Sequence, residues 1–243
     1  MRESEWFEDW FNSKYYFLLY NNRNDDEAKR FIVNLFNHLS SDLKFKVWDM
    51  ACAKGRHCRV MNELGHVVTG TDLAKDSIKA AIQQSKEDIE FYIHDMRLPF
   101  RSNYFDVVVN LFTSIGYFKR FEDNLKVIKN AASALKPNGY FVIDFLNATK
   151  VISCLKPESI EEREDIRFYI TKRIENNQVI KTIKFSADKK NYSFEERVTL
   201  LNKSMLLKFA ELTELKLQNI FGNYNLEPFD EINSERLILV FKK

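Results

Sequence analysis

The sequence predicts an α/β fold: a doubly wound, mostly parallel sheet with helices on both faces. Three observations carry that expectation. Residues 46–72, KVWDMACAKGRHCRVMNELGHVVTGTD, read as strand, tight turn, helix, strand and acid, which is one βαβ unit with a right-handed crossover. Strand-like and helix-like stretches keep alternating as far as Phe145, the order that builds a parallel sheet. Past Val151 the pattern changes to a period of two, with charged residues on one face, so a small antiparallel β insert is expected there.

Taken in order, Trp6, Phe7, Trp10 and Phe11 stand at i, i+1, i+4 and i+5, the aromatic face of one short helix within residues 4–20. Asp25 to Ser40 is an amphipathic helix, with Phe31, Ile32, Leu35 and Phe36 on one side and acids in its first turn. Phe45, Val47 and Trp48 make the first buried strand, closed by Asp49, and Val60, Met61 and Leu64 recur at helical spacing until Gly65 stops the helix. His66 to Gly70 is the second strand, with Asp72 just past its end. Asp76 to Ser85 is then a helix and Ile89 to Ile93 a strand, leading to His94, Asp95, Met96 and Arg97. Phe105 to Asn110 is apolar on both faces and therefore central. Phe121 to Leu135 is a helix ended by Lys136, Pro137, Asn138 and Gly139, and Tyr140 to Phe145 is the fifth strand. Strands follow within 159–200, with a hairpin turn at Asn176 and Asn177; Ser204 to Leu212 is helical, and Lys216 to Phe221 and Arg236 to Phe241 are the last strands.

Composition excludes several classes. Lys plus Arg is 37 against 35 acids, a formal charge of +2, which gives no strong field for nucleic acid. Three cysteines without framework or zinc spacing, an acidic aromatic N-terminus, and the lack of an apolar run near roughly 20 residues point to the cytoplasm and to no membrane span. His38, His57, His66 and His94 are scattered and the acids do not cluster, so no metal is expected.

The acids at the strand ends suggest a ligand. A carboxylate accepts two hydrogen bonds and donates none, so Asp72 can take both hydroxyls of a ribose, and it lies near the roughly 20-residue offset beyond Asp49 expected for such an acid. A dinucleotide turn needs glycines for close approach to pyrophosphate; here the turn holds Ala51, Ala53 and Gly55, and Asp49 would repel a diphosphate. A nucleoside carrying a sulfonium and an ammonium would instead be favoured.

The run Asp49-Met50-Ala51-Cys52-Ala53-Lys54-Gly55-Arg56-His57 resembles the D-x-x-C-G-x-G-R-H motif of class I S-adenosylmethionine-dependent methyltransferases. The departure is Ala53 in place of glycine, harmless if its φ stays negative and costly to cofactor affinity if φ is positive. The resemblance extends over nearly the whole chain. It implies a Rossmann-like, seven-stranded sheet in the order 3-2-1-4-5-7-6 within one domain, 1–243, with a lid over 1–24 and an inserted antiparallel cap over 156–202.

The opening W-F-x-x-W-F, Y-Y and L-Y pattern is also similar to the family, and implies that Arg23 holds the methionine carboxylate while Tyr20 approaches the cofactor and Tyr15 and Tyr16 the acceptor. Core packing is the competing reading of those aromatics. Around the turn, Ala51, Cys52, Ala53, Gly55, His57 and Leu73 join Asp49 and Asp72 as cofactor-binding candidates. The H-D-M-R segment, His94 to Arg97, is implied to contact the adenine. NLFTSIGYF, residues 110–118, resembles N-L-F-T-S-F-G-Y-F: Asn110, Leu111 and Phe112 are implied to face the cofactor, and Thr113, Ser114, Tyr117 and Phe118 the acceptor. F-G-N-Y at 221–224 and S-E-R at 234–236 are similar too, implying that Tyr224 and Arg236 border the pocket, with Asn147 near the tip of the fifth strand as a further acceptor-side candidate.

Methyl transfer needs mainly alignment and a dry cavity. Tyr117 is the chosen catalytic candidate, ahead of Asp144 and His57, for a base if one is used. The expected reaction is metal-independent transfer from S-adenosylmethionine to oxygen or nitrogen of a small molecule, leaving S-adenosylhomocysteine; the N-P-P-Y or D-P-P-Y run of enzymes that methylate amino groups of DNA and protein glutamine is missing from the fourth strand. Two other readings are a cofactor-binding protein or partner subunit without turnover, and, from the shared βαβ shape, an NAD-dependent oxidoreductase. Oligomeric state is left open.

Overall fold

A computed structural model describes residues 6–20, 25–40, 42–86 and 88–243. Its larger sheet is built from β1 (Lys46–Met50), β2 (Val67–Asp72), β3 (Glu90–Ile93), β4 (Phe105–Asn110), β5 (Leu135–Leu146) and two late strands, Lys216–Phe221 and Arg236–Lys242. Counted within this sheet, the strand order is 3-2-1-4-5-7-6, as the sequence implies. The first five strands run parallel; Arg236–Lys242 pairs antiparallel to β5 and Lys216–Phe221 antiparallel to that strand. In register, Asp49 stands beside Gly70 on one side and Val109 on the other, so the first acid sits at the centre of the sheet.

Alternating strand residues feed two cores, as the strand period of two requires. Trp48, Met50, Val108, Phe141 and Ile143 pack on the helix Phe121–Ala134 and on a later helix, Lys203–Glu211. Val47, Val68, Val107 and Val109 pack on the other face against Phe31, Ile32, Leu35 and Phe36 of the helix Asp25–Ser40, and against Cys58 and Met61 of the helix Arg56–Glu63. The sheet's carboxyl edge is thereby left for loops.

The remaining strands, Glu158–Arg163, Ile166–Glu175, Gln178–Ala187 and Lys190–Thr199, form a separate four-stranded antiparallel sheet. Asn176 and Asn177 turn one hairpin with φ of 49° and 58°, the pair of positive φ values that a two-residue turn needs. Asp188 and Lys189 do the same at the next hairpin, with φ of 49° and 59°.

Several boundaries differ from expectation. The N-terminal aromatic stretch is two helices, α1 (Trp6–Phe11) and α2 (Lys14–Leu19), because Ser13 Oγ accepts the Tyr15 N–H at 3.2 Å and caps a new start. The side chains of Trp6 and Phe7, and all of Arg23, lie outside the described residues. Asp72 is the last residue of β2 rather than beyond it. β5 begins at Leu135, and Lys136 to Gly139 bulge from it: Phe105 faces Leu135, but Val107 already faces Tyr140. A short helix, Ala148–Ser153, was not anticipated; Asn147 caps it through Thr149 N–H at 3.2 Å.

Candidate active site

A cleft of about 420 Å³ opens beyond the carboxyl ends of β1 to β4 and is walled on its far side by α1 and α2. Ligands of open α/β sheets bind at this edge. The floor is the turn after β1. Ala51, Ala53 and Gly55 have φ of 62°, 50° and 73°, so the turn has the left-handed geometry that glycine provides without strain, and two of its three positions bear a methyl. The sequence left the sign at Ala53 open; it is positive. Cys52 N–H bonds Thr71 O at 2.9 Å and Gly55 N–H bonds Cys52 O at 2.9 Å. Gly55 and Gly70 flank Phe91: a Cβ at either would come within 2.8 Å of its ring.

Asp72 ties this turn to the next loop. Its Oδ2 accepts Ala53 N–H at 2.8 Å and its Oδ1 accepts Ala74 N–H at 2.8 Å. Burial raises its carboxyl above the usual range, opposed by the N–H groups of Ala74, Ala53 and Leu73. A carboxylate offers about four acceptor sites, so Asp72 keeps acceptor capacity beyond these N–H groups, and its side chain lines the cleft. A donor such as a ribose hydroxyl therefore fits. Asp49 lies beneath the turn instead of in the wall: it is 1% exposed and accepts Cys58 Sγ–H at 3.2 Å. Burial lifts its carboxyl to about 7, against the pull of the Cys58 thiol and with a further push from Asp72.

At the third strand tip, His94, Asp95 and Met96 line the cleft. Arg97 does not; it forks onto Asp95, with Nε to Oδ1 at 3.0 Å and Nη2 to Oδ2 at 2.8 Å, and reaches Asp123 at 3.4 Å. Its role is to hold Asp95 from behind. Asn110 is likewise behind the wall, fully buried, with Nδ2 on Met50 O at 3.3 Å joining β4 to β1.

Leu111, Phe112, Thr113, Ser114, Tyr117 and Phe118 all line the cleft. Phe112 and Thr113 both hold φ of 61°, and a buried network clamps them there. Asp144 Oδ2 accepts Phe112 N–H at 2.9 Å and Tyr224 OH at 3.0 Å, Oδ1 accepts Arg236 Nε–H at 2.7 Å, and Arg236 Nη2 donates to Thr113 Oγ1 at 2.9 Å. Asp144 and Tyr224 thus sit under the loop, away from any acceptor; Tyr224 packs on Phe31 with centroids 4.5 Å apart. Asn147 also leaves the cleft, spending both Nδ2 hydrogens on Glu231 O and Ser234 O at 2.9 Å.

The far wall comes from Phe11, Asn12, Tyr16, Phe17 and Tyr20, seated on the four-stranded sheet. Trp10 Nε1–H bonds Glu196 at 2.6 Å and stacks on Phe194, 4.5 Å between centroids. Tyr20 OH bonds the same carboxylate at 2.7 and 2.8 Å and receives a hydrogen bond from Lys181. Burial first, then Glu196, pushes the Tyr20 hydroxyl well up. Tyr15 faces the inserted sheet rather than the cleft, with its OH on Asp188 at 2.8 Å and its ring against Phe185. Phe11 meets Tyr117 edge-on at 5.5 Å. His57 is 7% exposed and lines the cleft at the start of its helix.

Lining residues that sequence reasoning missed include Phe17, Lys54, Arg56, Arg59 and Ser77. Lys54 and Arg56 lie inside the motif at residues 49–57. No group of three or more metal-ligating side chains occurs among the described residues, and no described helix is long and apolar enough to cross a membrane.

Comparison with known proteins agrees with this geometry. Residues 48–143 match the family model described as a methyltransferase domain. A ubiquinone biosynthesis O-methyltransferase from Idiomarina loihiensis is 31% identical over 116 residues, 46% of each chain; the match thus spans about half the length of that curated relative. Among solved structures, an S-adenosylmethionine-dependent methyltransferase from Clostridium acetobutylicum superposes with a TM-score of 0.78 at 18% identity, over 96% of this chain and 98% of that one. CalS10, an amino pentose methyltransferase from Micromonospora echinaspora solved with S-adenosylmethionine bound, gives 0.73 at 15% identity over 100% and 99%. Residues 48–143 thus carry a methyltransferase-domain match, and the chain as a whole has the fold of these methyltransferase structures.

Proposed function

We propose that the chain transfers a methyl group from S-adenosylmethionine to an oxygen or nitrogen of a small-molecule acceptor in the cytoplasm, without a metal. The observation that carries this reading is Asp72: an acid at the tip of β2, in the wall of a cleft with apolar and aromatic sides, with acceptor capacity left for a ribose hydroxyl. When bound, the cofactor supplies an electrophilic methyl carbon on a sulfonium.

The chain's own residues do the rest. Asp72 receives the ribose; Leu73, Met96 and Leu111 offer apolar surface to a base, and Asp95, held by Arg97, accepts from its amine. Buried Asp49 places a negative potential beneath the positive end of such a ligand once ionised. The helices α1 and α2 form the lid that excludes water, which strengthens every charge interaction inside. Tyr16, Ser114 and Tyr117 line the far part of the cleft, where hydroxyls can orient an acceptor; Tyr117, braced by Phe11, is the group placed to hold the acceptor's proton. Asp144 and Arg236 are positioning residues that fix the loop bearing Thr113.

A small acceptor suits a cleft of about 420 Å³, within the size range of small-molecule sites. The test is incubation with S-adenosylmethionine and fractionated small metabolites, reading S-adenosylhomocysteine and a product heavier by one methylene. Turnover that falls in Tyr117→Phe is expected; a protein that binds cofactor yet methylates nothing would overturn the catalytic reading.

A further inference from the structure

The charges around the cleft are segregated. Asp72 and Asp95 lie at the tips of β2 and β3, and both are engaged, Asp72 by two backbone N–H groups and Asp95 by Arg97. Lys54 stands in the turn after β1 and reaches toward the lid, where its Nζ rests over the Phe17 ring, 3.4 Å from the centroid. Among the described residues that ammonium has no hydrogen bond and no carboxylate within ion-pairing distance, although it lines the cleft. Arg97, Lys181 and Arg236 are paired, with Asp95 and Asp123, with Glu196 and with Asp144 respectively, and Arg59 Nη1 donates to Lys54 O at 2.7 Å.

A partly buried charge without a counter-ion is costly, and a ring face offsets only part of that cost. Burial accordingly draws the Lys54 ammonium below its ordinary value.

We infer that Lys54 receives a carboxylate in the cleft, at the point where the turn after β1 meets the lid. This rests on the function proposed above. Two ligands bring such a group there: the amino-acid end of the cofactor, or an acidic acceptor whose apolar body lies on Tyr16 and Tyr117. In either case the ion pair forms across the seam between Lys54 and Phe17, so the ligand itself helps to seat the lid.

The test titrates the whole protein by calorimetry with three probes. S-adenosylhomocysteine carries the carboxylate; 5′-methylthioadenosine keeps the adenosine and thioether and lacks it; benzoate, added to protein loaded with S-adenosylhomocysteine, stands for an acidic acceptor. If the cofactor supplies the group, Lys54→Met weakens S-adenosylhomocysteine by roughly tenfold to a hundredfold, the scale of a hydrogen bond to a charged partner, and leaves 5′-methylthioadenosine within about twofold. If the acceptor supplies it, S-adenosylhomocysteine is unchanged and benzoate binding is lost. Lys54→Arg retains binding in both cases. The assignment is overturned if Lys54→Met alters neither carboxylate ligand, or weakens S-adenosylhomocysteine and 5′-methylthioadenosine alike. A wild-type protein that binds no S-adenosylhomocysteine brings down the methyltransferase reading instead, and the Lys54 assignment with it.

Discussion

The loop that carries Phe112 and Thr113 is held by one carboxylate, and removing it should be felt in both stability and binding. Asp144 is fully buried and accepts three hydrogen bonds, from Phe112 N–H, Tyr224 OH and Arg236 Nε–H. In Asp144→Ala the Arg236 side chain, 18% exposed, loses its counter-ion, and an orphaned, largely buried charge costs about 3–5 kcal/mol. Arg236→Met should cost a similar amount, about 3–5 kcal/mol, because it leaves the fully buried Asp144 carboxylate with two donors but no counter-ion. The double variant should cost less than the two changes added together, by at least about 1 kcal/mol, since its second change no longer strands a charge. Urea unfolding of the four proteins, followed by tryptophan fluorescence, measures this coupling. Additive effects, or an Asp144→Ala cost below about 1 kcal/mol, would refute the clamp.

Two other changes probe the turn after β1. Ala53→Gly should stabilise the ligand-free protein by up to about 1.6 kcal/mol: relief of a left-handed alanine is worth about 1–2 kcal/mol and the extra freedom of glycine in the unfolded chain returns about 0.4–1 kcal/mol; a lower thermal midpoint than wild type would contradict the φ of 50°. Asp49 should make stability fall as pH rises. Its carboxyl is lifted by burial to about 7 in the folded protein and titrates near 3.9 when unfolded, so its contribution is whole below about pH 4 and is lost through about pH 7, by up to about 4 kcal/mol. Ligand-free Asp49→Asn should therefore lose less stability than wild type between pH 5 and pH 8, and parallel pH profiles would sink that assignment.

What is legible in the sequence follows from the range of the forces involved. Asp25 to Ser40 was bounded to the residue because its apolar stripe and its acidic first turn are local signals. The order of the sheet, the acids at its tips and the Asn176-Asn177 turn are local too, or carried by a motif. The break at Ser13 was missed because aromatic spacing outweighed one capping hydroxyl. The clamp was out of reach: Asp144 and Arg236 are 92 residues apart, and Tyr224 gave no sign that its hydroxyl turns inward. Tyr15 and Tyr16 are neighbours, yet one faces the inserted sheet and the other the cleft, a division set by the helix's rotation on its support. The same holds for Asp95 and Arg97, where the acid meets the cleft and the base braces it. Lys54 lies in the quoted motif, but its seat over the Phe17 ring depends on how α2 packs against the turn after β1.

The central claim is that Asp72 marks a nucleoside site for a methyl donor, and calorimetry with S-adenosylhomocysteine tests it most directly. Wild type should bind one equivalent, and Asp72→Ala should weaken binding by about 1.5–3 kcal/mol, the worth of a charged acceptor, with part of the loss arising from the freed Ala53 N–H. Heat of dilution alone with the wild-type protein, or equal affinity in the two proteins, would contradict the account.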